Sequence, residues 1–267
     1  MALAACAPPP PSVAETPPPP PEEVAPVSSM QARMDELGVP FRVPTEGKAI
    51  LVNIPSYEMI AIEDGEEVFR SVVIVGAPRG PSTQTPISDS YVSVVRFRPT
   101  WRPTPTMIRS GAYTDGVRPA GKRNPLGLAA IRLEPGSLIY LHDTNRKKLY
   151  SREERALSHG CVRVQRWDET IAWLLDIPLE EVHEYANGRR TFDMPSDPVP
   201  VLFRYYRAFP DEAGELQVHD DIYRVGPSSD PVIKPPAEPE IAPAAEETAS
   251  PTQPAAEEPA GEAASRG

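Results

Sequence analysis

From residue 48 onward, apolar residues fall in short runs separated by turn formers, the pattern of β-strands. Residues 49–54 and 59–62 flank Pro55-Ser56 and predict a hairpin. Residues 68–75 predict a longer strand, entered through the Asp64-Gly65 turn and ended by Gly76; residues 91–97 predict another, broken by Pro99, Pro103 and Pro105. Residues 138–142, 161–164 and 199–209 complete the set. Helices are fewer. Residues 30–37 form one candidate, stopped by Gly38 and Pro40; residues 168–175 form a second, with Asp168 placed to cap it and Ile171, Leu174 and Leu175 on one face. A third spans 179–186 after Pro178 and closes at Asn187-Gly188, a left-handed stop. Short strands at this density predict a mainly β fold, sandwich or barrel-like, with a few accessory helices. Residues 101–133 are rich in Pro, Gly and Arg and lack periodicity, so a loop-rich lid over a site is expected there.

Proline changes the picture at both ends. Of 36 prolines, ten lie between Pro8 and Pro26 and nine between Pro227 and Pro259. These ends carry almost no large apolar residues, so burial there cannot offset the entropy of ordering. The expected organisation is a Pro-rich disordered linker over 1–29, one folded domain over 30–225, and a disordered Pro/Ala/Glu-rich tail over 226–267. Of the net charge of −11, residues 1–29 carry −3 and residues 226–267 carry −6, leaving −2 for the domain. A near-neutral domain argues against nucleic acid as a partner.

The two cysteines are Cys6 and Cys161, and with Cys6 in the linker no structural disulfide is expected. No run of about 18 apolar residues is present to span a membrane. Leu3-Ala4-Ala5-Cys6 resembles a lipobox, the sequence cut ahead of a lipid-modified cysteine. Five residues are too few for an apolar leader of about 7–15, so lipid anchoring at Cys6 requires a true start upstream.

The chemistry concentrates in Ser158-His159-Gly160-Cys161-Val162-Arg163. Read as one extended strand, this segment puts His159, Cys161 and Arg163 on a common face. His142 ends another alternating run, and a neighbouring strand brings it to Cys161. A thiolate is the nucleophile; an adjacent imidazole raises its fraction, and Arg163 favours it or holds a substrate carboxylate. Gly160 allows close backbone approach, and its amide with that of Cys161 is a candidate oxyanion donor. Tyr140 shares a face with His142 and is a candidate cleft-lining residue. A lone cysteine is more often a small buried hydrophobe, and the spacing here lacks the CxxC or HExxH of a zinc site. No metal or cofactor is expected. His183, His219, Trp167 and Trp173 read as structural; Trp101, beside the lid, reads as packing or as ligand-stacking.

Ser158-His159-Gly160-Cys161-Val162-Arg163, with His142 sixteen residues before Ser158, resembles the signature of the L,D-transpeptidase (YkuD) catalytic domain. Asn124-Pro125-Leu126-Gly127, Ile139-Tyr140-Leu141-His142-Asp143-Thr144, Leu51-Val52-Asn53-Ile54-Pro55, Val75-Gly76 and Thr85-Pro86-Ile87 resemble further segments of the longer periplasmic branch, without its N-terminal scaffold. The resemblance implies a mostly β fold and a cell-envelope enzyme without cofactor, acting as a monomer on peptidoglycan stem peptides. Cys161 would form a thioester, releasing D-alanine, with His142 as proton acceptor and donor. His159 would assist, and Ser158, Arg163 and Tyr140 would bind substrate. An amine acceptor gives 3–3 crosslinks or wall-attached protein. With water the same acyl-enzyme makes an L,D-carboxypeptidase or a crosslink hydrolase. The family's cysteine is acylated by carbapenems. Cys161, His142 and Arg163 are all present, which argues against a non-catalytic wall-binding protein.

Overall fold

The computed structural model describes residues 28–135 and 139–226. Cys6, most of the expected linker and all but the first residue of the expected tail lie outside the described residues. Helix α1 (Ser29–Glu36) precedes strands β1 (Lys48–Asn53), β2 (Glu58–Glu63), β3 (Glu66–Gly76) and β4 (Asp89–Phe97). A short helix α2 (Pro105–Arg109) is followed by β5 (Ala129–Glu134) and β6 (Tyr140–His142). After a 3-10 turn at Lys147–Ser151 come β7 (Ala156–Ser158), β8 (Val162–Val164) and helices α3 (Trp167–Leu175) and α4 (Leu179–Asn187). Strands β9 (Phe192–Pro195), β10 (Pro200–Arg204), β11 (Ala208–Pro210) and β12 (Leu216–Val218) follow.

The fold is mainly β and barrel-like. One sheet runs β10-β1-β2-β3-β8-β6-β5-β4, and β4 pairs back onto β10, closing the path. Strand β9 adds to β4 and β7 to β3. Closure explains why β1 reads as an unbroken apolar run, since both its faces are buried. Ile50 and Val52 join a core with Val73, Val95, Ile131, Leu141 and Val162, which α3 caps through Trp167, Ile171 and Leu174. Ala49 and Leu51 face the other way, against Met30 and Met34 of α1 and Phe41. The predicted hairpin is β1–β2, in register from Lys48↔Glu63 to Asn53↔Glu58.

Several boundaries differ from the sequence reading, each for a local reason. Helix α1 starts at a cap that pattern reading passed over, Ser28, whose hydroxyl accepts the Gln31 amide at 3.0 Å. Asp168 does not cap α3; it sits in the first turn and accepts from His183 Nε2 at 2.8 Å, while Arg166 is the uncapped N-cap. Gly188 ends α4 in extended backbone (φ −61°, ψ −166°) rather than a left-handed stop; Asp176 ends α3 in that conformation instead. The expected strand over 199–209 is two, β10 and β11, because the Tyr206 amide turns to bond Asn53 Oδ1 at 2.8 Å. The irregular stretch hides β5, whose partners β4 and β6 lie on either side.

Candidate active site

Strands β6 and β8 are parallel neighbours, with Leu141 opposite Val162 and His142 opposite Arg163. Directly opposite residues share a face. His142 and Arg163 therefore lie on one side, while Leu141 and Val162 fill the core from the other. Cys161 precedes β8 and opens, with Tyr140 and His159, into a cavity of about 480 Å³. Arg96, Ala130 and Arg132 of the sheet also line it, under a roof of Trp101, Arg102 and Met107. The expected lid is thus a roof pinned by the pairing of Trp101 with Arg118. The Asn124 amide group holds its base, donating to the Pro99 and Pro119 carbonyls at 2.9 and 3.0 Å.

The segment expected to be one strand is not. β7 ends at Ser158, pairs parallel with β3, and is followed by a turn; β8 then pairs antiparallel with the same strand. Gly160 makes the turn at φ +111°, a conformation that side chains resist. Ser158 closes it, accepting the Gly160 amide at 3.1 Å and donating to the Cys161 carbonyl at 2.6 Å. Two assignments change as a result. Ser158 is buried turn structure rather than a substrate contact, and the Gly160 N–H is committed to Ser158 rather than held out to an oxyanion. His159 reaches the cavity from the turn, not by strand alternation.

His142 is buried, and Nδ1 donates to the Asp143 carbonyl, leaving Nε2 as the basic nitrogen of the neutral ring. Burial, with Arg163 adding to it, pushes its pKa down from 6.5 to about 3. Burial likewise pushes the Cys161 thiol up, against the opposing pull of the Tyr140 backbone, the Arg163 charge and its own amide. The resting site therefore holds a neutral thiol and a neutral imidazole, and the thiolate expected beside Arg163 is outweighed by desolvation.

The sequence profile of the L,D-transpeptidase catalytic domain (YkuD) matches residues 47–201, more than half of the chain. The chain belongs to this family. Its L,D-transpeptidase relatives include a candidate enzyme of Haemophilus influenzae, 30% identical over 223 residues that make up 68% of this chain and 45% of the relative. Escherichia coli K12 YcfS, a further candidate, is 33% identical over 46% of this chain and 38% of its own. The chain thus spans less than half the length of these curated relatives. Among solved structures, the catalytic domain of the E. faecium L,D-transpeptidase aligns with 59% of this chain and 97% of its own, at 17% identity and a TM-score of 0.38.

Supports of this L,D-transpeptidase domain that the residue pattern did not reveal come from distant segments. Thr85 Oγ1 donates to the Gly160 carbonyl at 2.7 Å and accepts the Gly76 amide at 2.9 Å. Tyr223 Oη donates to the Gly76 carbonyl at 2.6 Å and accepts the Thr85 amide at 3.1 Å. Asp143 is buried; its carboxylate takes the Leu128 amide at 2.9 Å, the Thr144 amide at 2.6 Å and Lys147. Tyr113 of the lid stacks edge-on with Trp101 at 4.9 Å and reaches toward His159 at 6.4 Å. Burial and the charges of Arg79 and Arg163 lower the His159 pKa, so this imidazole too rests neutral. Trp167 is buried in the core and Trp173 packs against it.

Proposed function

We propose that this chain is an L,D-transpeptidase of peptidoglycan stem peptides, acting through a thioester on Cys161. One observation carries the reading. A partly buried thiol stands just ahead of β8, beside the strand bearing His142, and lines a roofed cavity. A neutral pair suits such a site, because no charge has to be held out of water before substrate arrives. Cys161 Sγ attacks the carbonyl carbon between the third residue and the terminal D-alanine of a tetrapeptide stem, while His142 Nε2 takes the thiol proton. The backbone N–H groups of Tyr140 and Cys161 already face the sulfur, and they receive the oxyanion that forms on the carbon bonded to it. The C–N bond breaks, and D-alanine leaves with the proton from His142.

An acceptor amine then attacks the thioester, passes a proton to His142, and the C–S bond breaks to restore the thiol. An amine from a second stem gives a 3–3 crosslink, one from a protein attaches it to the wall, and water gives a shortened stem. Arg163 holds a substrate carboxylate, and His159, lining the cavity beside Cys161, assists by hydrogen bonding. The place of action is the cell envelope, with Cys6 as a lipid anchor where an export leader precedes it. The test is D-alanine release from tetrapeptide-stem muropeptides, with mass spectrometry separating dimers from tripeptides. Release by the wild-type protein and none by Cys161→Ala is expected; no release by either sinks the reading.

A further inference from the structure

Beyond the roofed cavity, the molecule carries a second concave region of unusual charge. A cavity of about 660 Å³ is walled by Arg118, Lys122, Arg123, Arg146 and Arg163, together with Tyr113. An adjoining hollow of about 380 Å³ shares Arg146, Arg163 and Tyr113 with it and adds Arg79 and Arg152. His159 joins that hollow to the cavity over Cys161. Among the described residues, no carboxylate side chain lines either space. The nearby acids are engaged elsewhere: Asp115 by a two-point contact with Arg102 at 2.9 Å, and Asp143, beneath the surface, by Lys147 and two amides. Arg163 Nε is buried without a hydrogen-bond partner.

Seven cations around one basin, in a domain whose net charge is only −2, repel one another unless an anion is bound there. Their position matters as much as their number. The basin runs, through the hollow that shares Arg146 and Arg163 with it, to His159, which also lines the cavity that holds Cys161 over β4 and β5. A water acceptor has no use for such a surface. A peptide acceptor with free carboxylates does, and the same field disfavours its ammonium form, leaving the neutral amine that attacks a thioester.

We propose that the basin of Arg118, Lys122, Arg123, Arg146 and Arg163 is the acceptor site, binding a peptide that carries an amine and at least two free carboxylates. This rests on the acyl-transfer reading above. In the step it serves, the amine nitrogen bonds to the thioester carbonyl carbon, the C–S bond breaks, and the amine proton returns to sulfur through His142.

The test follows transfer from the preformed acyl-enzyme to two acceptors, a stem peptide with free carboxylates and the same peptide amidated at them. Wild-type protein is expected to reach half-saturation with the carboxylate form at about one-tenth the concentration, the size of one charge-assisted contact. Lys122→Ala/Arg146→Ala, both at exposed positions, is expected to erase that preference. Equal half-saturation for the two acceptors in wild-type protein, or an unchanged preference in the variant, overturns the proposal. Calorimetric binding of both acceptors to Cys161→Ala protein separates the two claims. A missing acyl-enzyme with a tenfold preference intact would sink only the function above, and a basin that took polyphosphate while ignoring the dicarboxylate peptide would sink only the acceptor site.

Discussion

Thr85 Oγ1 donates a 2.7 Å hydrogen bond to the carbonyl of Gly160, joining the segment after β3 to the turn that presents Cys161. The same hydroxyl accepts the Gly76 amide at 2.9 Å, so one buried side chain satisfies two buried backbone groups. Thr85→Val keeps the shape and removes both bonds. A loss of about 2–3 kcal/mol is expected in urea unfolding, because the stranded groups lose their partners without gaining water. Acyl-enzyme formation should slow by about tenfold, a barrier increase near 1.4 kcal/mol, as the turn loosens. Thr85→Ser should recover most of both. Full activity in Thr85→Val would show that the clamp is dispensable.

The depressed pKa of His142 makes stability depend on acid. The unfolded chain takes up the imidazole proton below about pH 6.5, whereas the folded protein resists it until about pH 3. The unfolded state therefore binds more protons in this window, and stability drains as pH falls through it. The loss approaches roughly 4–5 kcal/mol at the lower end. Urea midpoints measured across this window should fall steeply for the wild type and less so for His142→Gln. Parallel curves for the two proteins would mean that His142 is not the group responsible.

Burial holds the Cys161 thiol protonated at neutral pH. Iodoacetamide should consequently modify it more slowly than a solvent thiol near pH 7, with a rate rising about tenfold per pH unit into the alkaline range. A carbapenem should still acylate it, because its carbonyl enters the site and His142 takes the proton only as the bond forms. Intact mass after each reagent reads both outcomes. Rapid alkylation that is flat from neutral pH upward would indicate a standing thiolate and contradict the neutral pair.

Gly127 sits at φ +68°, and a Cβ there would overlap the Asp143 carboxylate. Gly127→Ala is expected to cost about 2–4 kcal/mol, combining left-handed strain with displacement of a buried acid. Since the Asp143 carbonyl orients His142, D-alanine release should fall even where the variant remains folded. A folded Gly127→Ala protein with wild-type release would separate Asp143 from the orientation of the imidazole.

The amino-acid sequence by itself determined the β1–β2 hairpin, the runs of β3 and β4, helices α1, α3 and α4, and the motif from which the chemistry is inferred. Those features are written in local apolar runs, turn formers and one short motif, all of which act over a few residues. Where reading went astray, distant partners had decided the matter. Strand β5 lies within a Pro- and Gly-rich stretch because β4 and β6 pair with it on either side. The Ser158–Cys161 turn replaces an extended strand because β3 accepts β7 and β8 in opposite directions. Only the closed sheet brings Thr85, itself held by Tyr223, under Gly160, desolvates His142 and Cys161 until both rest neutral, and gathers seven cations from lid, loops and β8 into one basin. Desolvation and charge clustering depend on what surrounds a group in space, and a net charge of −2 averaged over the domain conceals both.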